Sequence, residues 1–304
     1  MSEIPRGVKP AADVAQILNR AQVPNLLFGW WVVGLYSQAQ PFPVSSLSLS
    51  PSFPLPSFNA DSFTQEIDFI VPDGQFESGI RALIDAGFQY CDDPKCPELV
   101  YDRFPRKGKI GDKYPITELL ANLALNGWHE IADAHFHVET QYRKPKFTVL
   151  SLYKQSRLLW ALPTLTLDPV PANDPTFVLT NDAARLPPRT PDFYSSSGPW
   201  LDVPAVKTLT YAALFEAFIR LKCRHLQERG MAEWRTDMWD ERLCYTVGGT
   251  AKPERLRALR ENLTPQFQAV FDAHTRTAEN IASRATPRDA MNTLYDQLVA
   301  KGEL

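Results

Sequence analysis

The chain has 304 residues, 44% of them hydrophobic and 22% charged, and a net charge of −3. That balance excludes the basic footprint of a nucleic-acid or anionic-membrane binder, and the length allows one large domain or two small ones. Four cysteines (Cys91, Cys96, Cys223, Cys244) in so long a chain make no disulfide framework.

The start, Met1-Ser-Glu-Ile-Pro-Arg, lacks the basic-then-apolar pattern of a signal peptide. The apolar run 23–36 is too short to cross ~30 Å of hydrocarbon as a helix. These features lead us to expect a reduced, cytoplasmic protein with no membrane partner. The 26 prolines exceed the usual ~5% and predict long loops.

Residues 11–21 carry Val14, Ile17 and Leu18 at helical spacing and predict an amphipathic first helix. Asn25-Leu-Leu-Phe28 then meets Gly29, followed by the apolar stretch Trp30 to Tyr36. That pattern predicts a strand turning tightly into a buried helix. Residues 41–60 hold five prolines and six serines and no charge, with no periodicity. Prolines lack donors and serines compete for backbone bonds, so a loop follows. A featureless loop of this length is unusual inside a domain. Residues of about 38–63 read either as a late insertion, such as a translated intron, or as an active-site lid.

Thr64 to Asp73 reads as a strand on which Glu66 and Asp68 share one face, opposite Ile67 and Phe69. Two acids so placed repel unless a cation lies between them, and a divalent metal is the usual answer. A helix over 76–86, stopped by Gly87, follows. Short strands are expected at 88–91 and 98–104, a charged loop at 106–113 and a helix at 115–126. From Trp128 to Glu139 the residues alternate, so that Asp133, His135, His137 and Glu139 share a face. Another strand runs over 147–153. Residues 163–200 read as a proline-rich wrapping loop, 203–226 as a buried central helix, and 251–263, 265–284 and 287–300 as further helices.

A strand, a glycine turn and then an acid-x-acid pair on the next strand resembles the nucleotidyltransferase fold of the DNA polymerase beta superfamily. The likeness is closest to its small-molecule members, the aminoglycoside and lincosamide type. The matching residues are Phe28-Gly29-Trp30 and Glu66-Ile67-Asp68, with Phe28 standing where the family has a first glycine. Ala132-Asp133-Ala134-His135 resembles the setting of the family's third carboxylate, and Leu221-Lys222-Cys223-Arg224 loosely matches a stretch on its later helix.

The resemblance implies an α/β (α+β) fold, a mixed sheet with flanking helices and a mostly helical C-terminal part. It divides the chain into a catalytic domain over 1–160, the loop over 161–200 and a helical domain over 201–304. It further implies magnesium, or manganese, on Glu66 and Asp68, Asp133 as third ligand or general base, and nucleotide contacts from Gly29, Trp30 and Lys222. Substrate contacts from His135 and His137 complete the expected site. The expected reaction moves a nucleoside monophosphate from a nucleoside triphosphate to a hydroxyl of a small-molecule acceptor. Near-neutral charge argues against a nucleic-acid partner. The rivals are a non-catalytic binding protein on the same fold and a different transferase. Composition leaves the oligomeric state unknown.

His135 and His137 also read as a general base or as metal ligands, yet a zinc site needs a third and fourth ligand. The C-x4-C pair Cys91 and Cys96 lies outside common zinc spacings with no second pair after it, so the expectation is ordinary cysteines. Walker-type, GxGxxG and GxSxG motifs are absent.

Overall fold

A computed structural model describes residues 8–36, 67–93, 96, 132–139, 147–189, 197–229, 238–248, 252–275 and 286–304. The expected Pro/Ser-rich loop, the strand at 98–104, the loop at 106–113, the helix at 115–126 and Glu66 lie outside them.

Among the described residues seven strands form one mixed sheet: β1 (Leu26–Phe28), β2 (Ile67–Val71), β3 (Gln89–Cys91), β4 (Ala134–Glu139), β5 (Phe147–Lys154), β6 (Phe177–Leu179) and β7 (Lys207–Leu209). Their spatial order is β3-β4-β5-β2-β1-β7-β6. The helices are α1 (Val8–Arg20), α2 (Trp30–Tyr36), α3 (Phe76–Asp85), α4 (Gln155–Leu158), α5 (Tyr211–Arg229), α6 (Met238–Gly248), α7 (Pro253–Asn262), α8 (Pro265–Thr275) and α9 (Pro287–Ala300). The protein is therefore α/β, with a mixed sheet and helices that dominate its C-terminal part. Among the described residues no helix is long and apolar enough to cross a membrane.

Every residue of β2 is buried, as expected of a central strand covered on both faces. Side chains alternate along each strand, and residues paired across strands share a face. One face carries Leu27, Phe69, Leu152 and Ala134, which are mutual partners in the ladder. α1 and α3 pack here, with Gly79 of α3 close to Leu18, Val23 and Leu152. α1 fits this role because Ala11, Ala12, Val14, Ala15 and Leu18 form a buried stripe.

The opposite face carries Phe28, Asp68, Ser151 and His135. Here Phe28 meets Phe218 of α5 edge to face, with ring centroids 5.6 Å apart. α2 joins this layer: Tyr36 stacks on Tyr211 at 4.6 Å and donates its hydroxyl to the Leu209 carbonyl at 2.9 Å. Burial raises the Tyr36 phenol well above its usual range, which keeps it a donor.

The sheet continues past residue 160. β7 lies parallel to β1, and β6 pairs with β7, so both belong to the sheet begun by the first 160 residues. Residues 207–209 were expected to be helical and 177–179 to be loop; the helix instead starts at Tyr211. Three-residue strands leave no readable alternation, and pairing decides them: Thr208 donates its hydroxyl to the Leu27 carbonyl at 3.0 Å inside the core. A single hydrophobic cluster extends from Val8 to Leu298. The C-terminal end is fastened by Trp160, whose indole donates to the Glu303 carbonyl at 3.1 Å beneath the Arg224 guanidinium, 4.5 Å from the ring.

Candidate functional site

Gly29 ends β1 with a backbone φ of +73° and starts α2, whose Val32 and Val33 amides donate to its carbonyl at 3.2 Å. This is the left-handed region that glycine enters without cost. A Cβ here would lie 2.3 Å from Asp68 Oδ2 and 3.2 Å from its Cγ. The backbone turn and the Asp68 carboxylate therefore approach closer than any side chain permits. Asp68 is 2% exposed, and a buried carboxylate is sustained only by compensating positive charge or donors.

The ladder places Asp68 in a row across four further strands. Phe28 is its partner on β1 and Ser151 its partner on β5; His135 lies beyond on β4, and Cys91 last on β3. Of this row Ser151 and His135 are buried, and neither Ser151 Oγ nor His135 Nε2 has a hydrogen-bond partner. Burial chiefly, and then the neighbouring His137, push the His135 imidazole down to about 4, so it is neutral at pH 7.

Lys222 is 1% exposed and lies one helical turn beyond Phe218 on the stripe of α5 that packs on β1. Its charge also reaches His274 on α8, whose buried imidazole is held below its usual range, mainly by burial. Trp30 is half-buried, and the buried Arg242 guanidinium stands 5.5 Å from its ring. Trp31 is core.

Asp133 does not join Asp68. By register it is two residues along and two strands across, roughly 12 Å away by ordinary strand geometry. Its carboxylate is used elsewhere: Oδ1 pairs with Arg157 at 3.2 Å, and Oδ2 accepts the Lys154 amide at 3.0 Å. The expected third metal ligand is thus a brace between the start of β4 and the end of β5. Alternation in the sequence assigned it a face, but could not say how far along the strand its neighbours would lie.

His135 and His137 do come together with two further donors. Cys91 on β3, Cys96 just after it, His135 and His137 each offer an atom within 4.8 Å of the others. His137 Nε2 is 3.1 Å from Cys96 Sγ. The two cysteines set aside for their spacing thus supply the third and fourth candidate donor atoms beside the histidine pair. Antiparallel pairing of β3 and β4 sets Cys91 opposite His135. The usable signal was a strand ending in one cysteine, a second cysteine five residues on, and a later His-x-His strand.

Comparison of the chain with protein-family models, with curated proteins and with solved structures returns no match.

Proposed function

We propose that the protein is a magnesium-dependent nucleotidyltransferase acting on a small-molecule hydroxyl. The observation that carries this reading is the contact of Gly29 with Asp68: a bare backbone turn set against a buried carboxylate. Supporting it are the order of strand, glycine turn, helix and acid-bearing strand, and the buried Lys222 on the helix stripe that covers the same sheet face.

The donor set fits magnesium, which takes oxygen ligands and binds through one or two carboxylates plus phosphates. Asp68, with Glu66 two residues before it in sequence, would hold the ion, and manganese would serve the same oxygen donors. When bound, the ion supplies neutralisation of phosphate charge. Gly29 leaves room for a phosphate to approach the backbone beside Asp68. Lys222 contributes positive charge from α5, and Trp30 an aromatic surface at the turn. Near-neutral overall charge favours a small acceptor over a nucleic acid. None of the four cysteines is paired in a disulfide, in keeping with a cytoplasmic setting and its triphosphate supply.

One observation favours a second reading, a binding protein on this fold without transfer activity. Phe28 fills the place of a first glycine and is committed to the core against Phe218. Thermal midpoints with and without magnesium and each nucleoside triphosphate, for the native chain and Asp68→Asn, test both readings. The transferase reading expects a magnesium-dependent rise that the variant lacks, and nucleotide joined to an acceptor in product analysis. A rise without any transfer across a panel of hydroxyl acceptors supports the binding protein. No rise with any nucleotide in a folded chain overturns the transferase reading and leaves the non-catalytic one.

A further inference from the structure

We propose that Cys91, Cys96, His135 and His137 form a structural zinc site that pins the edge of the sheet. The four donors come from three places: the last residue of β3, the segment just after it, and two positions on one face of β4. Two thiolates and two imidazoles are a complete tetrahedral set for zinc, whereas magnesium and calcium select oxygen.

The dimensions agree. Zinc bonds of ~2.3 Å to sulfur and ~2.0–2.1 Å to nitrogen set tetrahedral donor separations of roughly 3.3–3.8 Å. The four donor atoms already lie within 4.8 Å of one another, so binding asks for adjustments of roughly 1–1.5 Å at most. His135 Nε2 is buried with no hydrogen-bond partner, and coordination to the metal would use its lone pair instead.

Among the described residues, this corner of the protein has little else to hold it. β3 has three residues, is the outermost strand among the described residues and exposes Gln89 and Tyr90. Cys96 and Val149, with Cys91 beside them, form a satellite cluster separate from the main core. A metal with four protein ligands has no open position, so it supplies stability rather than chemistry. In this reading His135 and His137 are ligands, not substrate contacts. The site also fixes His135 in the row that contains Ser151 and Asp68.

The test is the metal content of the full chain purified with a non-chelating reductant, measured by mass spectrometry of the elements. About one zinc per chain is expected, falling below roughly 0.2 in Cys96→Ser and in His137→Ala. Because those variants risk misfolding, cobalt is exchanged into the native chain as well. Intense visible d–d bands with sulfur-to-cobalt charge transfer are the expected signature of tetrahedral sulfur and nitrogen ligation. A folded, reduced chain that takes up no zinc from molar excess overturns the proposal, as does a weak octahedral cobalt spectrum. A Cys91–Cys96 disulfide that persists in reductant without metal also overturns it. None of these readouts involves nucleotide, so the outcome is independent of the transferase reading.

Discussion

Gly29 and Asp68 are locked to each other: a methyl group on the glycine would sit 2.3 Å from the aspartate's Oδ2. Gly29→Ala therefore meets two penalties. Left-handed backbone costs a non-glycine residue about 1–2 kcal/mol, and displacing a buried carboxylate adds to it. The variant is expected to lower the thermal midpoint by several degrees. In an Asp68→Ala background the same substitution costs less, because the clash is gone while the backbone strain remains. A double-mutant cycle of denaturation midpoints reads this coupling directly.

Arg242 is buried among aromatic rings, 4.9 Å from Trp239, 5.5 Å from Trp30 and 5.8 Å from Phe218. Desolvated cation–π contacts contribute about 2 kcal/mol or more, and the flat guanidinium stacks where an ammonium does not. Arg242→Lys is expected to lose most of this contribution although the charge is kept. Equilibrium urea unfolding of Arg242→Lys and Arg242→Met checks it, the two variants falling close together.

Glu303 accepts a hydrogen bond from Arg220 Nη2 at 2.8 Å, and this bond, ahead of all other causes, holds its carboxyl below the ordinary 4.5. Since the folded value is the lower one, the unfolded chain takes up the proton first. The pair therefore stabilises the fold above the ordinary value and loses that contribution as pH falls through the folded value. The pair is partly exposed, so the effect is less than about 1 kcal/mol. Urea midpoints at about pH 7 and about pH 3.5 should fall less for Glu303→Gln than for the native chain.

Thr286 and Asp289 form a reciprocal capping box at the start of α9, with the Asp289 amide donating to Thr286 Oγ1 at 3.2 Å and the Thr286 amide to Asp289 Oδ2 at 3.0 Å. Loss of such a cap costs about 1 kcal/mol. Thr286→Ala should lower the thermal midpoint by a few degrees and Thr286→Ser should restore it, while zinc content stays unchanged in both.

Where a local signal was strong, the sequence was a good guide. The apolar run into Gly29, the alternation of β2 and β4, and the left-handed Gly87 that stops α3 are all short-range features. The face that Asp68 takes, opposite Ile67 and Phe69, was legible in the same way. Meetings between distant segments were not. Nothing near Thr208 announces that it will lie beside Leu27, so the start of α5 was drawn too early. Asp133 carried the right neighbours in sequence, but its fate was decided by Arg157 and the Lys154 amide. Cys91 and Cys96 looked idle because their partners sit some forty residues away, brought close by the β3–β4 register.

The position of β1 between β2 and β7 bears on how the chain is made. Leu27 and Thr208, 181 residues apart, are held together in mid-sheet. On a ribosome, the earliest strand must wait for most of the chain before its second neighbour exists. Folding of this kind is dominated by non-local pairing and is slow, with strand edges exposed meanwhile. A fragment ending near residue 160 would carry β1 with one side of its ladder bare, and would be expected to aggregate rather than fold as a unit.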